Sequence, residues 1–159
     1  MTTITRDSLA QAAQEGTGIA HLSPGQAWAA HRLAMPPERL EKPLAPHIAA
    51  LLENVERMAA RQFFASADRD NAESIIRAAH DEAHPMFLRA PMLKEMRQGM
   101  VECLPGLTPS GVNDAGEPVY RLADIAAALD VSEEELLARA EAMGMQDQLS
   151  TTPQVHPLH

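Results

Sequence analysis

A chain of 159 residues with a formal net charge of −9 can bury a core without disulfides or a structural metal, and its acidity disfavours nonspecific attraction to nucleic acid or anionic membrane. The single cysteine, Cys103, excludes an intramolecular disulfide and suits a reducing compartment. No apolar run approaches the roughly 20 residues that span a bilayer, and "MTTITRDSLAQ" lacks the basic start and apolar stretch of a secretory leader, so a cytoplasmic, soluble chain without a membrane partner is expected.

Abundant Ala with Leu, Met, Glu, Arg and Gln, and few aromatic residues, favour helices over strands. Residues 1–19 hold a short helix in "TRDSLAQAAQEG", with Thr5 or Asp7 as its cap and Gly16 as its stop. A helical bundle is expected over 20–104. It begins with "SPGQAWAAHRLAM", capped by Ser23, with Pro24 at its first position and Pro36 and Pro37 ending it. Trp28 and His31 lie on this helix, where packing would anchor it. The clearest periodicity follows: Ile48, Leu51, Leu52, Val55, Met58, Ala59 and Phe63 recur at three and four residues, one stripe along about five turns. Its length and regularity fit either a bundle core or the seam of a homodimer. A fourth helix carries Ile75, Ile76, Ala79 and Ala83. A fifth carries Met86, Phe87, Leu93, Met96, Met100 and Val101, with Pro85 and Pro91 expected to break or kink it. Its methionines either line an adaptable groove or fill the core.

Residues 105–118 are rich in Pro and Gly and form the best linker in the chain. "PVYRL" offers one short strand. The tail, 146–159, has no periodicity and is expected to be disordered. Between linker and tail, 119–145, lies "YRLADIAAALDVSEEELLARAEAMG". Small Ala126 suits a close helix crossing. Ile125, Leu129, Val131, Leu136 and Leu137 would make a miniature core. Asp130 tolerates a left-handed turn, and Ser132 with Glu135 forms a capping box. This stretch resembles a helix-turn-helix, and "YRLADIAAALDVS" resembles the first helix and turn of MerR-type regulators. The resemblance implies the fold of the module and a role on DNA. The departure is in charge: Glu133, Glu134 and Glu135 stand where a DNA reader carries Arg, Lys, Asn or Gln. These carboxylates suit a helix N-terminus but repel phosphate. No basic wing follows in "AEAMGMQDQ".

"HDEAH" places His80 and His84 four apart, a spacing at which two imidazoles on one helical face share a metal. Asp81 stands where the zinc-protease pattern needs Glu, and Pro85 pushes His84 out of helical geometry. A third ligand would have to come from Cys103 or a distant carboxylate, and Val101 and Leu104 suggest that Cys103 is buried. His80, His84 and Cys103 are thus weak metal candidates, and no cofactor is expected. No phosphate-cradling glycine loop, nucleophile elbow or paired CxxC is present.

The chain therefore reads as an all-α helical bundle with a C-terminal helix-turn-helix-like module. The function expected first is non-enzymatic: an adaptor, regulatory or assembly protein. Its module would dock on a basic partner protein through Glu133, Glu134, Glu135 and Arg139, with a homodimer as a further option. The alternative is a DNA-binding transcriptional regulator, and the third a helical metal-dependent enzyme.

Overall fold

The computed structural model describes residues 3–145 and 156–157. In chain order it contains α1 (Arg6–Glu15), α2 (Pro24–Arg32), a single 3-10 turn (Pro37–Leu40), α3 (Pro46–Ser66), α4 (Ala72–His80) and α5 (Met86–Cys103). Then come β1 (Gly111–Val112), β2 (Pro118–Val119), α6 (Leu122–Leu129) and α7 (Glu133–Ala142). Among the described residues the fold is all-α apart from one two-stranded antiparallel sheet, β1 with β2, and isolated bridges. Two compact units divide the chain, Met1–Glu95 and Met96–His159, and the division falls within α5, ahead of the Pro/Gly-rich stretch.

In the first unit, local hydrogen bonds set the helix ends. The Thr5 hydroxyl accepts the Ser8 N–H while the Ser8 hydroxyl accepts the Thr5 N–H, a reciprocal cap for α1. Gly16, at φ 69°, ends the helix in the left-handed region. It also packs so closely on the start of α5 that a Cβ there would lie 2.9 Å from the Met86 backbone. Ser23 and Gln26 close the equivalent box on α2, with Pro24 at its first position. Pro36 and Pro37 do not end that helix. It stops at Arg32, where left-handed Ala34 (φ 48°) lets the Met35 N–H donate back to the Ala30 carbonyl at 2.9 Å.

Alanine dominates where helices meet. Ala27, Ala29 and Ala30 are fully buried, and with Leu9, Ala12, Leu22, Leu40, Ile48 and Leu52 they form the main core. The N-terminal helix is thus part of this core. Of the α3 stripe, Ile48, Leu52, Ala59 and Phe63 are buried inside the chain, whereas Leu51 and Met58 remain 43% and 56% exposed. The apolar stripe is wider than the face that the neighbouring helices cover. Phe63 joins Ala67 and Ala78 in a second cluster, against Leu88 and Met92.

Helix α4 is capped by Asn71 and ends at His80 with Asp81 as C-cap, which leaves Ala83 outside it. Helix α5 runs unbroken through Pro91 and buries none of its residues completely; its missing N–H removes the donor for the Phe87 carbonyl. The Arg89 Nε–H donates to the Ala79 carbonyl at 2.8 Å, a cation placed where the α4 dipole favours one.

In the second unit, the stretch expected to be a linker contains β1 and a tight turn. The Asn113 Oδ1 accepts the N–H groups of Ala115 and Glu117, and Gly116 supplies the positive φ of 77°. Strand β2 matches the strand expected in "PVYRL". Most of the tail expected to be disordered, including 146–155, lies outside the described residues. His156 does not fit that expectation. It exchanges both backbone hydrogen bonds with Val112, at 3.0 and 2.8 Å, and its Nε2 lies 2.8 Å from Asp114 Oδ1.

Candidate functional site: an acidic helix pair

Helices α6 and α7 meet at a turn made by Asp130, which adopts the left-handed conformation (φ 54°). The Val131 N–H then reaches the Ala126 carbonyl at 3.0 Å, and the Asp130 N–H the Ala127 carbonyl at 3.3 Å. These bonds satisfy the last carbonyls of α6. Ala126, 3% exposed, is the buried hydrophobic side chain of this unit among the described residues. Ile125, Val131 and Leu136 are half-buried around it. Leu129 and Leu137, expected in the same core, stay 47% and 43% exposed. Two short helices meeting at one turn cover only their facing flanks, so both leucines remain at the surface.

Glu133, Glu134 and Glu135 form the exposed first turn of α7. Their charge opposes the positive helix N-terminus, which explains how three adjacent carboxylates are tolerated. Only half of the expected capping box forms. The Ser132 hydroxyl accepts the Glu135 N–H at 3.1 Å, while the Glu135 carboxylate pairs with Arg139 at 2.7 Å. Residues three and four apart share a helical face, so Glu133 and Glu134 both border Leu137. The outcome is an exposed leucine with two carboxylates one turn away.

The weak metal candidates are not brought together. His80 ends α4, and burial, followed by the nearby Arg89 charge, pushes its pKa below the ordinary value of 6.5. His84 lies in the following turn, not on the same helical face. Its Nε2 is 3.0 Å from the Ser66 hydroxyl and 3.8 Å from Asp81, and its ring meets Phe63 edge-on at 5.2 Å. These contacts fasten the α4–α5 turn to the end of α3. Cys103 is exposed, contrary to the burial expected of it. Among the described residues, no three His, Cys, Asp or Glu side chains are grouped to hold a metal, and no helix is long and apolar enough to cross a membrane. Trp28 packs on Phe87 with ring centroids 5.3 Å apart, the anchoring role expected of it.

Two features had no clear sequence signal. Glu56 of α3 lies over Gly25 in the first turn of α2, where any Cβ would overlap its carboxylate. Burial, then repulsion from Glu53, raises its pKa above 4.5. The second is an open groove of about 520 Å³ in the second unit, lined by Cys103, Leu104, Leu107, Asp124, Ala127 and Ala128 among others. It joins the end of α5 to one face of α6, segments some twenty residues apart.

No protein-family model, curated protein or solved structure matches the chain.

Proposed function

We propose that this is a non-enzymatic interaction protein with an adaptor, regulatory or assembly role, and that α6 and α7 form a helix-turn-helix-like module that docks on a basic surface of a partner protein. The observation that carries this reading is Leu137, 43% exposed on the face of α7 that also bears Glu133 and Glu134. An exposed apolar side chain rimmed by like charges fits a partner that presents apolar surface among cations. Glu135 and Arg139, paired with each other, stand two residues either side of Leu137 and so lie on the opposite side of α7. Duplex DNA suits this helix poorly, since phosphate neutralisation supplies most nonspecific affinity and the first turn of α7 offers only carboxylates.

The test is affinity purification of the tagged full-length protein from its native host, beside a Leu137→Gln variant, with both protein and nucleic acid scored. The reading expects a basic protein with the wild type, reduced with the variant, and no enrichment of nucleic acid. Nuclease-sensitive DNA as the main product, or a partner recovered equally with both proteins, would overturn it.

A further inference from the structure

We infer that the groove beside α6 is the pocket into which the basic partner inserts an apolar anchor with a cation beside it. This rests on the reading that the acidic module docks a basic protein, and it adds a second, chemically distinct contact away from the α7 carboxylates.

The groove has the size of a binding cleft, about 520 Å³ against roughly 300–1,000 Å³ for small-ligand pockets. Its lining is asymmetric. Leu104 and Leu107 supply apolar walls from one side, and Ala127 and Ala128 leave room on the other because neither side chain extends beyond Cβ. Asp124 stands one turn before those alanines on the same face of α6 and is the charged residue of the lining. It is exposed and available to a ligand. An apolar body ending in a positive charge satisfies both parts, as the stem and head of a lysine or arginine next to a leucine would. An anionic ligand meets repulsion from Asp124. A purely apolar one leaves that carboxylate without a partner. The acidity of the unit, with ten Asp and Glu against Arg97, Arg121 and Arg139, attracts the same class of partner from a distance.

Cys103 makes the inference measurable, because it lines the groove, is exposed and is the chain's single thiol. The rate at which the uncharged reagent N-ethylmaleimide modifies it in the full-length protein reports occupancy. The probe is a synthetic helical peptide of alternating leucine and lysine turns, with its binding followed separately by fluorescence anisotropy. The expected result is that saturating peptide slows labelling at least several-fold. Asp124→Asn should lose most of that protection, and Ala128→Gln, which fills the groove with a helix-compatible side chain, should lose it as well. Circular dichroism confirms that both variants fold. Peptide that binds the wild type and responds to Glu133→Gln and Glu134→Gln, yet leaves Cys103 labelling unchanged, overturns the groove and leaves the α7 reading intact. Protection that persists in Asp124→Asn overturns the cation contact on which the inference depends. Peptide that does not bind at all overturns both readings together.

Discussion

Two partly buried titratable groups give the first unit opposing responses to pH. Glu56 has a folded-state pKa raised above 4.5 by burial and by Glu53, so the folded chain binds its proton more readily than the unfolded chain does. Its favourable contribution is complete below 4.5 and is lost as pH rises through the raised value. Glu56→Gln should therefore gain stability relative to wild type between pH 4 and pH 7, read as denaturant midpoints at each pH. If the variant instead loses ground over that range, the contact of the carboxylate with the first turn of α2 dominates its desolvation. His80 behaves in the other sense. Its folded pKa lies below 6.5, so stability is present above that value and falls as pH drops through the window beneath it. His80→Gln should flatten the acid side of the profile, and an unchanged slope would assign that slope to another group.

Helix ends were the most legible elements, because a cap is chemistry between a side chain and its own backbone. Ser23 before Pro24, Thr5, Gly16 and left-handed Asp130 all act at the positions expected of them. The end of α2 was not legible, since Ala34 takes a left-handed turn that its side chain does not advertise. The apolar pattern of α7 likewise marks Leu137 as hydrophobic without saying what covers it. The groove and the Val112–His156 pairing join residues distant in sequence, which no local pattern encodes. Gly16 holds both the end of α1 and its close approach to α5. Gly16→Ala adds a Cβ at positive φ, costing about 1–2 kcal/mol, and crowds the Met86 backbone. The expected result is a melting temperature lower by roughly 2–8 °C, at about 2–4 °C per kcal/mol for a chain of this length. A neutral variant would show that the α1–α5 approach adjusts freely.

Across the whole molecule, apolar burial is distributed unevenly. Apart from Ala126, the buried hydrophobic side chains among the described residues all belong to Met1–Glu95. Opening should therefore be easier in α6 and α7 than in α2 and α3, and native-state hydrogen exchange should show faster exchange there; equal protection of both sets would contradict this. The α3 stripe, which also suited a dimer seam, buries Ile48, Leu52, Ala59 and Phe63 within a single chain. The melting temperature should accordingly be independent of protein concentration, whereas a rise with concentration would indicate coupled association. A thinly packed acidic unit in the same chain as a well-packed one is consistent with the proposed docking role of α6 and α7. The most direct test of that account is the affinity of the purified full-length protein for its co-purified partner at low and physiological salt, with and without Glu133→Gln, Glu134→Gln and Glu135→Gln combined. Exposed ion pairs contribute about 0.2–1 kcal/mol each, so the triple variant should bind roughly tenfold more weakly at low salt, with the difference shrinking as salt is added. An unchanged affinity, or a wild-type protein that instead forms a sequence-selective complex with duplex DNA, would contradict it.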